Sequence, residues 1–186
     1  LAMPEAIRAS ATVSFAAAKL GLVLPHAQPW TGPLHVRAIG IPLAVQSKAP
    51  CSFYALDGRS LSPLAQILPD GFKNSYGHVL VIGGAPGLGG AAHLAARAAL
   101  RAGAGLVTAA APGAGIADIK NGWPEIMTLP LGEAERQWPH TLPEALVELL
   151  ARCAALVVGP GMGRGSDAAD FMDALLRLPH RPPTVF

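Results

Sequence analysis

Two glycine clusters stand where this chain could grip a phosphate: Gly83-Gly84-Ala85-Pro86-Gly87-Leu88-Gly89-Gly90 and Gly159-Pro160-Gly161-Met162-Gly163-Arg164-Gly165. Glycine lets backbone come close to a ligand, and a helix that starts just after such a turn offers N–H groups and partial positive charge to an anion. A tight strand-to-helix turn without a ligand uses the same residues, so one cluster leaves both readings open. The second cluster favours the ligand. Gly84 and Gly89 have the outer spacing of a Walker loop, yet Gly90 and Ala91 follow where Lys and Ser/Thr would hold the outer phosphates and magnesium. A dinucleotide fingerprint needs an acidic residue near the end of the second strand for the ribose, and that strand ends Ala110-Ala111-Pro112. Lys73 and Ser75, just before the first strand, are further candidates for the phosphate vicinity, as a point charge and a hydrogen-bond donor. A solvated loop has the same composition.

Other polar groups give less. Asp167, Asp170 and Asp173 resemble a metal cluster but open a helix, where carboxylates complement the dipole or face solvent. The six histidines have no ligand spacing, and His78 and His93 read as structural. Glu125 is a loop carboxylate that faces either the crevice or water. No Ser/His/Asp or Cys/His constellation is present, no metal site is predicted, and no residue here is named as catalytic.

The elements that must position the glycines are legible. His78–Ile82 is an apolar, β-branched strand, Ala91–Ala102 a helix closed by Gly103, and Gly105–Ala111 the next strand. Ala154–Val158, the second glycine turn and a helix from Ser166 to about Leu178 repeat the pattern. Strand–helix–strand units imply a parallel sheet with right-handed crossovers and a crevice over both turns. Asn121–Pro143 reads as polar and proline-punctuated, and Glu144–Arg152 as a helix. Upstream, Ala11–Phe15 and Leu34–Ile39 are short strands, Pro42–Arg59 lacks periodicity, and Ser62-Pro63 opens a short helix that stops at Pro69.

Composition narrows the class. A hydrophobic share of 51% against 14% charged residues supports a core, and a formal charge of +2 without basic runs argues against nucleic acid. No stretch suits a membrane span. Cys51 and Cys153 stand far apart without CxxC spacing, which indicates neither a zinc site nor a disulfide framework and fits a reducing, cytoplasmic setting. The start at Leu1 and the end in Pro182-Pro183-Thr184-Val185-Phe186 predict a piece of a longer chain.

The run from Lys73 to Ala92, continuing through Ala96-Arg97-Ala98-Ala99-Leu100-Arg101-Ala102-Gly103-Ala104-Gly105-Leu106-Val107-Thr108, closely resembles the start of the ADP/ATP-dependent NAD(P)H-hydrate dehydratases. Pro124-Glu125-Ile126-Met127 and Leu156 to Gly163 continue the likeness in order. Ala11–Phe15, Lys19–Leu22 and Ile39-Gly40-Ile41-Pro42 are similar to the closing segment of the NAD(P)H-hydrate epimerase domain that bifunctional bacterial proteins carry upstream. Ala38 stands where that family usually has Asp, and in the dehydratase part Phe72-Lys73-Asn74 replaces the more usual His-Lys-Gly.

The resemblance implies an α/β fold of the ribokinase-like three-layer kind over 61–186, preceded by the end of a Rossmann-like epimerase domain at 1–42 and a linker at 43–60. It implies a hydro-lyase that repairs hydrated NADH or NADPH, using ADP or ATP with Mg2+ to turn the hydroxyl into leaving phosphate, joined to an isomerase whose K+ site lies upstream. Gly90, Ala91, Gly161 and Gly163 match hydrate-pocket positions; Lys73 and Ser75 stand at its mouth. The family's histidine segment, Lys-Gly loop and late Gly-x-Gly-Asp with the catalytic Asp would follow Phe186, so this piece alone is expected to be inactive. A homo-oligomeric full-length protein is implied. Two other functions compete, a small-alcohol kinase of the same fold and a non-catalytic nucleotide-binding module, and the Ser75 to Ala92 run argues against the kinase.

Overall fold

In a computed structural model, residues 6–51, 53–58, 60, 68–132 and 137–186 are described. The chain divides into two compact units, 1–60 and 61–186. In the first, strands β1 (Thr12–Phe15) and β2 (Leu34–Arg37) pair in parallel, with Thr12 opposite Leu34. Three single-turn helices accompany them, α1 (Leu20–Val23), α2 (Gln28–Thr31) and α3 (Leu43–Gln46). The last falls in the segment read as aperiodic. The helix expected from Ser62 lies outside the described residues, apart from its final Leu68.

The second unit is a five-stranded, wholly parallel sheet in the order β5-β4-β3-β6-β7. Its strands are β3 (His78–Ile82), β4 (Leu106–Pro112), β5 (Met127–Leu131), β6 (Ala155–Val158) and β7 (Thr184–Val185). Helices α4 (Gly89–Arg101), α5 (Ile116–Lys120), α6 (Glu144–Leu150) and α7 (Ser166–Leu176) connect them. Successive side chains of a strand point to opposite faces. Leu80 and Ile82 therefore join Leu146, Phe171 and Leu175 in one core, while Val81 joins Ala92, Ala96, Ala109, Ala111 and Ile119 in the other. Helices covering both faces explain why the central strands are continuous apolar runs.

Helix α4 follows from an alanine- and leucine-rich segment with high helix propensity. Its end is a Schellman motif: the Gly103 N–H donates to the Leu100 carbonyl at 3.0 Å and the Ala104 N–H to the Ala99 carbonyl at 3.1 Å. Gly103 takes a φ of 105°, a conformation that favours glycine. The helix starts two residues earlier than its sequence suggests, which puts Gly89 and Gly90 in its first turn.

Strand β5 occupies ground read as polar and proline-punctuated, and helix α5 lies just before it, in residues given no element from sequence. Pro130 sits in β5 opposite Ala111, and among the described residues β5 pairs only with β4. An edge strand tolerates proline because its outer backbone needs no partner, which is why the proline did not exclude a strand. Helix α5 has Ile116 and Ile119 three apart with Asp118 near its start and Lys120 at its end. Five residues are too few for periodicity to register.

Candidate functional site

The chain runs outward from β3 through β4 to β5, then returns to lay β6 on the other side of β3. Strand order reverses between β3 and β6, and open α/β sheets bind ligands beyond the carboxyl ends of the strands at such a point. Both glycine turns leave the sheet there. One follows β3 and the other follows β6.

The two turns are bonded to each other. The Gly84 N–H donates to the Pro160 carbonyl at 2.9 Å, and the Ala85 N–H to the Gly161 carbonyl at 2.8 Å. Gly83 and Gly159 anchor the turns to the sheet through the carbonyls of Ala110 and Ile82, at 3.1 and 3.0 Å. The close approach explains two of the glycines. A Cβ on Gly83 would collide with the Pro160 carbonyl oxygen, and one on Gly161 with that of Leu88; Gly161 also has a φ of 65°. Gly84 is backed by α5, whose Ile119 methyl stands 2.8 Å from where a Cβ would sit. Gly90 has open space around that position. No side chain caps the first turn of α4; the Ala91 N–H donates to the Leu88 carbonyl at 3.2 Å, and Gly89 is buried beside Asp118 of α5.

Gly84, Gly89, Gly90, Ala91, Gly161 and Gly163 are thus gathered at one end of the sheet. The built Cβ position on Gly161 lies 3.2 Å from the Ala91 methyl, and that on Gly163 lies 3.9 Å from the Ala85 methyl. A hollow of 320 Å³ adjoins the second turn, lined by Gly159, Gly163, Arg164 and Met172 among others.

Lys73 and Ser75 are not brought to this cluster. They lie on a short 3-10 helix, Lys73–Tyr76, before β3, whereas the glycines follow it. Five strand residues rise about 16 Å, further than a lysine side chain reaches. Ser75 instead accepts the Phe72 N–H at 3.3 Å, and the Gly105 N–H donates to the Gly77 carbonyl at 3.1 Å. Spacing along the chain put these residues near the glycines; the strand between them carries them to the opposite end.

The displaced titrations also sit at that opposite end. Burial, and then the Arg152 charge, lower the His78 pKa, and its Nε2 lies 2.8 Å from the Thr108 hydroxyl. Burial raises the Cys153 thiol, against a smaller opposing effect of Arg152. Among the described residues no group of three or more His, Cys, Asp or Glu could hold a metal ion. Asp173 pairs with Arg177 at 2.8 Å on the exposed face of α7, and Glu125 is exposed. His93 Nδ1 lies 2.6 Å from the Ile119 carbonyl; a carbonyl only accepts, so this nitrogen carries the proton.

Sequence reasoning missed what braces the turns. Asp167 complements the helix dipole as expected, but its carboxylate also accepts the Trp138 N–H at 2.9 Å. The Trp138 indole N–H donates to the Met162 carbonyl at 2.9 Å. Gly115, in the 3-10 turn before α5, lies so close to the first turn that a Cβ there would strike the Gly84 carbonyl oxygen. The only advance signal for the first brace was a tryptophan in a polar, proline-rich stretch.

A family model described as NAD(P)H-hydrate dehydratase matches residues 79–184, the span that contains both turns. This chain belongs to that family. It is 42% identical to the bifunctional NAD(P)H-hydrate repair enzyme Nnr of Moorella thermoacetica over 96% of its own length and 34% of that protein's. The Nnr of Salinibacter ruber is 35% identical, with 95% and 34% covered. The chain therefore spans about a third of these curated relatives. A ribokinase-like superfamily protein of Enterococcus faecalis superposes with a TM-score of 0.54 at 23% identity, covering 64% of this chain and 39% of that one. A protein of Streptococcus mutans titled as hypothetical gives 0.52 at 28%, with 62% and 38% covered. The fold is ribokinase-like. Among the described residues no helix is long and apolar enough to cross a membrane.

Proposed function

We propose that this chain supplies the hydrate-holding crevice of an enzyme that restores NADH or NADPH from its hydrated form at the expense of ADP or ATP. The observation that carries the reading is the pair of glycine turns hydrogen-bonded together at the strand-order reversal. Gly90, Ala91, Gly161 and Gly163 would line the hydrate, with Gly84 and Gly89 and the first turn of α4 beside its phosphates. What these residues do is bind and orient: backbone N–H groups held by neighbouring bonds need no reorganisation when an anionic ligand arrives. The nucleotide converts the hydroxyl into a phosphate ester, which leaves as phosphate while a base removes a proton from the neighbouring carbon. That base is assigned to no residue of this chain. Mg2+ and K+ belong to the family reading, whereas among the described residues no cluster of His, Cys, Asp or Glu fits a metal ion.

Residues 1–42 are read as the closing part of a NAD(P)H-hydrate epimerase-like domain, supported by the match to bifunctional relatives across 96% of the chain. The unpaired thiols of Cys51 and Cys153 fit a cytoplasmic setting. A homo-oligomeric full-length protein belongs to the same reading.

The test uses the full-length protein that contains this chain. Recovery of reduced-nicotinamide absorbance from NADH hydrate with ADP or ATP is expected, and Gly161→Ala should raise KM for the hydrate by about tenfold or more, because the left-handed backbone and the Leu88 carbonyl both resist a side chain. Phosphorylation of a small alcohol without action on the hydrate would replace this reading with a kinase.

A further inference from the structure

The second glycine turn has one bond of its own, from the Met162 N–H to the Gly159 carbonyl at 3.1 Å. Gly159, Gly161 and Gly163 all have positive φ, at 117°, 65° and 83°. Three such glycines leave wide backbone freedom that one internal bond does not remove, so the aim of the turn depends on bonds from outside it. Three consecutive carbonyls provide it. Pro160 accepts from Gly84, Gly161 from Ala85, and Met162 from the Trp138 indole. The first two donors belong to the other glycine turn; the third comes from a separate loop.

A trans peptide is planar, so fixing a carbonyl fixes the next N–H in the opposite direction. The bond from Trp138 to Met162 thereby sets the Gly163 amide, which makes no hydrogen bond among the described residues and belongs to an exposed residue. Trp138 is itself immobilised. It is 2% exposed, its own N–H is held by Asp167, and its ring packs 5.0 Å from that of Phe171, one helical turn beyond Asp167.

We infer that Trp138, held by Asp167, is a positioning residue that aims the second glycine turn at the bound hydrate. The indole acts through the Met162 carbonyl and touches no ligand. Its use in binding rests on the dehydratase reading; its hold on the turn does not.

Two measurements on the full-length protein separate these. Trp138→Phe keeps an aromatic ring against Phe171 and removes only the N–H donor. Amide exchange at Ala85, bonded to the neighbouring Gly161 carbonyl, should quicken about tenfold as the turn loosens. KM for NADH hydrate should rise about five- to tenfold with kcat within about twofold, because binding geometry is lost while the chemical groups remain. Asp167→Asn should move both readouts the same way by less, and it serves if the first variant does not fold. Unchanged exchange at Ala85 would overturn the inference whatever the activity. Faster exchange in an active enzyme with unaltered KM would also overturn it, leaving Trp138 a packing residue. A wild-type protein inert towards the hydrate would remove the dehydratase reading, and exchange at Ala85 would then decide the inference alone.

Discussion

The two faces of the five-stranded sheet are built from different side chains. Against α4 and α5 the core is rich in small residues: Ala92, Ala96, Ala109 and Ala111, all fully buried, with Val81, Val107, Ile119 and Ile126, and Trp123 at its margin. Against α6 and α7 it is large, with Phe171, Trp138, Leu146, Leu150, Leu156 and Leu175. Small residues let a helix axis approach the sheet, so the start of α4 lies against the first glycine turn, with the Ala92 methyl 3.2 Å from where Gly84 would carry a Cβ. Large residues give grip. The second turn is held by an indole packed against Phe171 and bonded to its backbone. One turn is set by closeness and the other by a brace, and the two then bond to each other.

The largest effect should come from removing the grip. Phe171→Ala leaves a cavity under Trp138 and is expected to cost about 3–5 kcal/mol in denaturant unfolding. A loss below 1 kcal/mol would mean that this face collapses freely and that the contrast between the faces is false. Crowding the small face should cost less but reach the crevice. Ala96→Val adds volume at a fully buried position of α4, which is expected to cost about 1–3 kcal/mol by overpacking. It should also weaken hydrate binding by lifting the first turn, and unaltered hydrate affinity in a folded variant would show that closeness of α4 does not set the site.

The smallest effect is a pH dependence confined to the large face, where His78 and Thr108 meet at the far end from the glycines. Burial, then Arg152, lower the folded His78 pKa, so the unfolded chain takes up the proton first as pH falls below its ordinary value of about 6.5. The His78 contribution is complete above that value and is lost as pH falls towards the folded pKa. Thermal melts across that window should show the loss, and His78→Gln should remove it. An unchanged slope in that variant would assign the dependence to other groups.

The sequence by itself determined the local pieces. Continuous apolar runs marked β3, β4 and β6 because both faces of a parallel sheet are covered, and glycine at the strand ends marked the turns because no other residue takes those conformations at such close range. It marked the family through the long run around the first turn. Short or edge elements were illegible: α5 lacks the length for a period, and β5 holds a proline that only an edge position excuses.

Tertiary structure alone decided what each piece faces. Lys73 and Ser75 lie near Gly84 in sequence and at the other end of β3 in space, since a strand separates residues by its length. Gly84 and Pro160 are far apart in sequence and bonded in space, since strand order reverses between β3 and β6. Trp138 and Asp167 acquire their meaning only when the loop after β5 meets the first turn of α7. A hydrogen bond between distant segments leaves no period or spacing in the sequence, because it is fixed by packing of whole elements and not by the residues beside it.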